Sequence, residues 1–176
     1  MQLSESLENY LEVILDLENA HKVARAKDIA EKLGIQRGSV TGALKNLVEK
    51  KLINYEPYSF ITLTDKGARI AKAVTRRHMV LKGFLSRVLQ LDEETAEAGA
   101  CRMEHAIDEV TINRLVCFVE FLFRCPRTGD DWIQEFIEFC KTGQKDTKEC
   151  DQCLDDCKQR YNSRSGSSRS GSHLNY

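Results

Sequence analysis

The chain has 176 residues, with 41% hydrophobic residues and a net charge of −1, the make-up of an ordinary globular protein with room for a sizeable core. No apolar run reaches the roughly 20 residues of a membrane span, and the start Met1-Gln2-Leu3-Ser4-Glu5 lacks the basic-then-apolar build of an export signal, so a cytoplasmic protein with no membrane partner is expected. The seven cysteines then read as reduced thiols, some of them candidate metal ligands, rather than as a disulfide framework.

Leu7, Tyr10, Leu11, Ile14 and Leu17 recur at helical spacing behind the cap candidate Ser4, which predicts an amphipathic helix over 4–18. A short helix over 26–33 ends at Gly34, and a third follows over 37–50 with Val40, Leu44, Leu47 and Val48 as its buried stripe. Two helices joined by a tight, glycine-containing turn are a helix-turn-helix. Leu52–Glu56 and Phe60–Leu63 read as two short strands around Pro57-Tyr58-Ser59, a small wing. Thr64 caps a long helix to about Leu89, and further helices fit 93–106, 109–123 and 129–140, with Cys125-Pro126 as a break. A polar helix over 147–160 and a Ser/Gly/Arg-rich, disordered tail complete the chain. The fold expected is mainly α. Residues 1–72 form a winged helix-turn-helix with a two-stranded wing, 73–141 an all-helical dimerisation and metal-binding domain, 142–161 a cysteine-rich helix and 162–176 the tail.

Charge is informative only locally. Residues 19–52 hold eight basic residues against three acidic ones, which suits a phosphate-facing surface as well as a solvated helical face. In a helix-turn-helix the start of the second helix meets base edges while neighbouring hydroxyl and basic groups hold phosphates. Here those residues are Gln36, Arg37, Ser39, Thr41 and Lys45, with Gly38 and Gly42 leaving room for the duplex. Arg37 suits guanine and Gln36 adenine, whereas Ser39 and Thr41 fit a helix start as well as a phosphate contact.

Cys101, Glu104 and His105 stand at i, i+3 and i+4, which on one helix brings a thiolate, a carboxylate and an imidazole to one face. Glu97 lies one turn earlier; His78 on the long helix and Asn9 and Glu12 on the first are candidates to complete a metal shell. The spacing also fits a core cysteine beside a solvated Glu-His pair. Cys140, Cys150, Cys153 and Cys157 form a separate group. They read as a zinc or iron–sulfur site, as packing residues, or as redox-linked thiols. Cys117 reads as part of a buried stripe. No phosphate-cradling glycine loop or nucleophile–base pair is present, which argues against an enzyme.

The ordered segments Glu8-Asn9-Tyr10-Leu11-Glu12, Asp28-Ile29-Ala30-Glu31-Lys32-Leu33-Gly34, Ser39-Val40-Thr41, Tyr55-Glu56-Pro57-Tyr58, Leu63-Thr64-Asp65-Lys66-Gly67, Arg76-Arg77-His78 and Ala100-Cys101-Arg102-Met103-Glu104-His105 resemble the diphtheria-toxin-repressor family of iron- and manganese-dependent repressors, over roughly residues 4–125. The resemblance implies a homodimer that binds double-stranded operator DNA when loaded with Fe(II) or Mn(II), an ion tying ligands of helix one to those of the second domain. It implies Glu104, His105, His78 and Cys101 as ligands, with Glu12 matching the helix-one carboxylate of manganese-type members. Asn9 departs from the usual Asp or Met, and Lys82 and Glu97 depart from the iron-type second site. The thiolate favours a metal later in the affinity series than manganese, hence Fe(II) first and Mn(II) second. A redox or iron–sulfur regulator using the carboxy-terminal cysteines is the alternative.

Overall fold

The computed structural model describes residues 3–20, 23–55, 60–124, 130–143, 155, 158 and 159. They form seven helices and one two-stranded antiparallel sheet, in the order α1 (Glu5–Asn19), α2 (Ala26–Leu33), α3 (Arg37–Glu49), β1 (Ile53–Asn54), β2 (Thr62–Leu63), α4 (Asp65–Arg87), α5 (Glu93–Met103), α6 (Glu109–Arg124) and α7 (Asp130–Thr142). The mainly helical fold and the winged helix-turn-helix expected from the sequence are both present. The chain divides into two compact units, one running to His78 and including Cys101–Ala106, the other made of Met79–Ala100 and the chain from Ile107 on.

In the first unit, α1 buries Leu7, Tyr10, Leu11, Ile14 and Leu17, the residues its periodicity singled out. They share one core with Ile29 and Ala30 of α2, Val40, Leu44 and Leu47 of α3, and Leu52, Ile53 and Ile61 around the sheet. Gly34 stops α2 in the left-handed conformation at φ 65°. The Ile35 amide then bonds back to the Ala30 carbonyl and that of Gly34 to Glu31, which satisfies two of the carbonyls a helix end leaves open. The wing pairs Ile53 with Leu63 and Asn54 with Thr62, and Ala24 adds an isolated bridge to Ile61. Its turn residues 56–59 lie outside the described residues. Thr64 caps α4 as expected, its Oγ1 accepting the Gly67 amide at 3.1 Å.

Three local expectations are corrected. Ser4 makes no side-chain cap on α1; its carbonyl takes the Leu7 and Glu8 amides instead. Val48 is exposed, because Leu47 one position earlier fills the stripe. Cys117 is exposed too: the buried side of α6 runs through Ile112, Val119 and Leu122, with Leu115 and Val116 packed against them. In the second unit that side of α6 meets Val80, Leu81 and Leu85 of α4, Val88 just beyond it, and Ala96 and Ala100 of α5. The other side of α6 presents Val110, Phe118 and Phe121 to solvent.

No described helix is long and apolar enough to cross a membrane. The polar helix and the tail predicted after residue 143 lie almost wholly outside the described residues, as do Cys150, Cys153 and Cys157.

Candidate metal centre

The face of α1 that carries Glu8 and Glu12, one turn apart, belongs to the same unit as Thr75, Arg77 and His78 of α4 and the segment Cys101–Ala106. Glu12, Glu104 and His105 are drawn together, with one potential ligand atom from each lying within 4.8 Å of the others. Glu104 is the hub. Its Oε1 stands 3.2 Å from His105 Nε2 and its Oε2 stands 2.6 Å from His78 Nδ1, which in turn is 3.9 Å from Cys101 Sγ. Thr75 Oγ1 donates to Glu12 Oε1 at 3.3 Å.

The expectation that Cys101, Glu104 and His105 share a single helix is corrected, since α5 ends at Met103 and the last two stand in the turn that follows. In that turn the Ala106 amide bonds to the Met103 carbonyl, and the Glu104 carbonyl accepts from Arg77 Nε at 2.7 Å, a side-chain donor in place of a helical amide. Glu104 is nonetheless only 4% exposed, and no other charged residue among those described is buried.

Two carboxylates taken this far out of water oppose each other unless a cation or proton intervenes. Burial first, then the charge of Glu104, pushes the Glu12 carboxyl up to about 7, against the Thr75 hydrogen bond and the charges of His105 and His78. The donor set suits a divalent transition metal, being imidazole and carboxylate with a thiolate at its margin. Neighbouring ligand atoms held about 2.1 Å from one ion stand about 3.0–3.4 Å apart at the usual angles, and the 3.2 Å between Glu104 Oε1 and His105 Nε2 falls in that range.

Of the remaining expected ligands, Asn9 is half-buried on α1, and no hydrogen bond among the described residues joins its side chain to this cluster. Glu97 belongs to the second unit, where its Oε2 lies 2.8 Å from Lys82 Nζ. Cys140 is an exposed thiol near the end of α7. Reasoning from sequence missed Glu8 and Arg77, which lie against the ligand residues. Glu8 Oε2 is 2.8 Å from His105 Nδ1 and 3.2 Å from Arg77 Nη2. The i, i+4 relation of Glu8 to Glu12 was the available signal.

Gln36, Arg37, Ser39, Thr41 and Lys45 are all exposed, whereas Val40, Leu44 and Leu47 are buried. The first turns of α3 therefore turn a polar and basic face outward, and nothing lies within 4 Å of where a Cβ would stand at Gly38 or Gly42.

Two family models match the chain. Residues 2–61 match the model of the iron-dependent repressor amino-terminal DNA-binding domain, and residues 64–133 that of the iron-dependent repressor metal-binding and dimerisation domain. An uncharacterised helix-turn-helix-type transcriptional regulator of Methanocaldococcus jannaschii is 39% identical over 67% of this chain and 95% of its own length. The chain belongs to the iron-dependent repressor family. The regulator MntR of Bacillus pumilus is 35% identical over 66% of the chain and 80% of its own. A manganese-dependent transcriptional repressor solved in complex with manganese superposes with a TM-score of 0.56 at 28% identity, over 65% of this chain. The match spans 53% of that protein, about half its length. These relatives are transcriptional regulators rather than enzymes, and the redox or iron–sulfur alternative finds no support among them.

Proposed function

We propose that this family member is a cytoplasmic repressor that binds double-stranded operator DNA as a homodimer when Fe(II) or Mn(II) is held by Glu12, His78, Cys101, Glu104 and His105. The observation that carries the reading is the cluster of half-buried Glu12 and His105 around the buried Glu104. A bound divalent cation supplies the positive charge that the two carboxylates lack. Glu12 gives up its proton to join the shell, Glu104 faces both imidazoles, and Cys101 supplies the soft donor that favours Fe(II) over Mn(II). Asn9 and Glu97 are candidates outside these five.

Because Glu12 stands on α1 and α1 shares its core with α3, metal occupancy bears on the helix that carries Arg37 and Lys45. Two reading helices dock together only at half-sites about 34 Å apart per helical turn, so small changes in their placement alter affinity. Coupling of about 1–3 kcal/mol between metal and DNA is the usual size.

The test is an anaerobic titration of genomic operator fragments at fixed salt with Fe(II), Mn(II), Zn(II) or chelator. Binding that requires metal, with Fe(II) or Mn(II) the best effector, is expected. Equal binding in chelator would refute the reading.

A further inference from the structure

One carboxylate of α1 has no part in the proposed ligand set. Glu8 is 15% exposed in its side chain and lies between two groups that are equally enclosed, Arg77 at 14% and His105 at 8%. Arg77 Nη2 donates to Glu8 Oε2 at 3.2 Å while its Nε donates to the Glu104 carbonyl at 2.7 Å. One guanidinium thus fixes both the Glu8 carboxylate and the backbone that carries His105. The same Glu8 oxygen stands 2.8 Å from His105 Nδ1, and on the far side of the ring His105 Nε2 faces Glu104 Oε1.

A neutral imidazole has one N–H and one lone pair, and the partner of one nitrogen decides what the other can do. A carboxylate only accepts, and one faces each ring nitrogen; with a cation between Nε2 and Glu104, Glu8 takes the proton on Nδ1 and the Nε2 lone pair is left to ligate. We propose that Glu8 is the positioning residue for His105, holding its Nδ1–H so that Nε2 is the ligating atom, with Arg77 as the clamp that holds Glu8. This inference rests on the metal-site reading above. It gives Glu8 a role distinct from that of Glu12: Glu8 sets the orientation, tautomer and basicity of a ligand without contacting the ion. A carboxylate behind a ligating histidine strengthens it, and loss of such a partner costs about 10–100-fold in metal affinity.

The experiment is a Co(II) titration of the full-length, metal-free protein, read by visible ligand-field absorption, in wild type, Glu8→Gln, Glu8→Asp, Arg77→Gln and Glu104→Ala. Glu8→Gln is expected to weaken Co(II) binding about 10–100-fold and to displace the absorption bands. Glu8→Asp restores part of both, and Arg77→Gln moves both in the direction of Glu8→Gln by less. Glu8→Gln with wild-type affinity and unmoved bands would overturn the proposal. Loss of binding in Glu8→Gln as complete as in Glu104→Ala would also overturn it, by making Glu8 a ligand. If Glu8→Gln does not fold, Glu8→Asp carries the comparison, and wild-type affinity and bands in that variant together with Arg77→Gln overturn the proposal. A wild-type protein that binds no Co(II) defeats the metal-site reading itself, a result distinguishable from any of these.

Discussion

The Glu12 carboxylate lies close enough to that of Glu104 for the second charge, after burial, to be the main reason the first is pushed from 4.5 up to about 7. A carboxyl whose pKa is raised by folding contributes stability that is fully present below its unfolded value of 4.5 and is lost as the pH rises through about 7. In chelator, therefore, the step from pH 5 to pH 8 costs the wild-type protein more melting temperature than it costs Glu12→Gln. Metal affinity should climb over the same interval, because the proton must leave before Glu12 can ligate. Thermal melts of both proteins at the two pH values decide the matter, and equal losses would show that Glu12 does not carry this proton.

Gly67 sits in the first turn of α4 against the backbone of Leu52, where an added Cβ would collide with the Leu52 carbonyl oxygen. That oxygen already accepts the Thr64 amide, and a backbone group cannot swing aside as a side-chain tip can. Gly67→Ala should destabilise the winged-helix unit by about 1–3 kcal/mol in chemical denaturation. Gly38→Ala is the contrast: the site is open and helical, so it should stabilise by about 0.5–1 kcal/mol. A similar response from the two glycines would refute the close approach at Leu52.

Such differences mark where the sequence could be read and where it could not. Helix positions were legible because periodic apolar residues and definite boundary signals, the stop at Gly34 and the start at Thr64 among them, act locally. Cys101, Glu104 and His105 were candidates from their spacing, although α5 ends before the last two, and His78 and Glu12 were joined to them through the family resemblance. Glu8 and Arg77 were not, since a glutamate and an arginine on helix surfaces read as solvated charges until tertiary packing brings them to His105. Cys117 was misread for another reason. α6 is apolar on two sides, and the pattern alone does not tell the side packed against α4 and α5 from the side facing outward.

The exposed face of α3 separates base reading from phosphate anchoring. Arg37→Ala should lower affinity for the specific operator by about 1–3 kcal/mol and relax preference at one base pair. Lys45→Ala should weaken specific and non-specific DNA alike and reduce the salt slope by about 1. Anisotropy titrations at several salt concentrations, on operator and scrambled duplexes, distinguish the two. If Arg37→Ala alters only the salt slope, it holds a phosphate and another residue of the turn reads the base.

The outward side of α6 holds Val110, Phe118 and Phe121, exposed by 72%, 48% and 61% and spaced to lie along one helical face. Large apolar side chains grouped in this way mark an association surface, and the metal-binding and dimerisation model matches residues 64–133, which contain α6. Phe121→Glu places a charge where the proposed homodimer would bury an aromatic ring, while leaving the internal core of Val119 and Leu122 untouched. Sedimentation should show a dimer for wild type and a monomer for Phe121→Glu, with Co(II) binding retained because the ligand residues belong to the other unit. Affinity for a two-half-site operator should then fall about 100-fold or more, since the second half-site is no longer delivered by the first. A Phe121→Glu protein that stays dimeric would move the interface away from this face of α6.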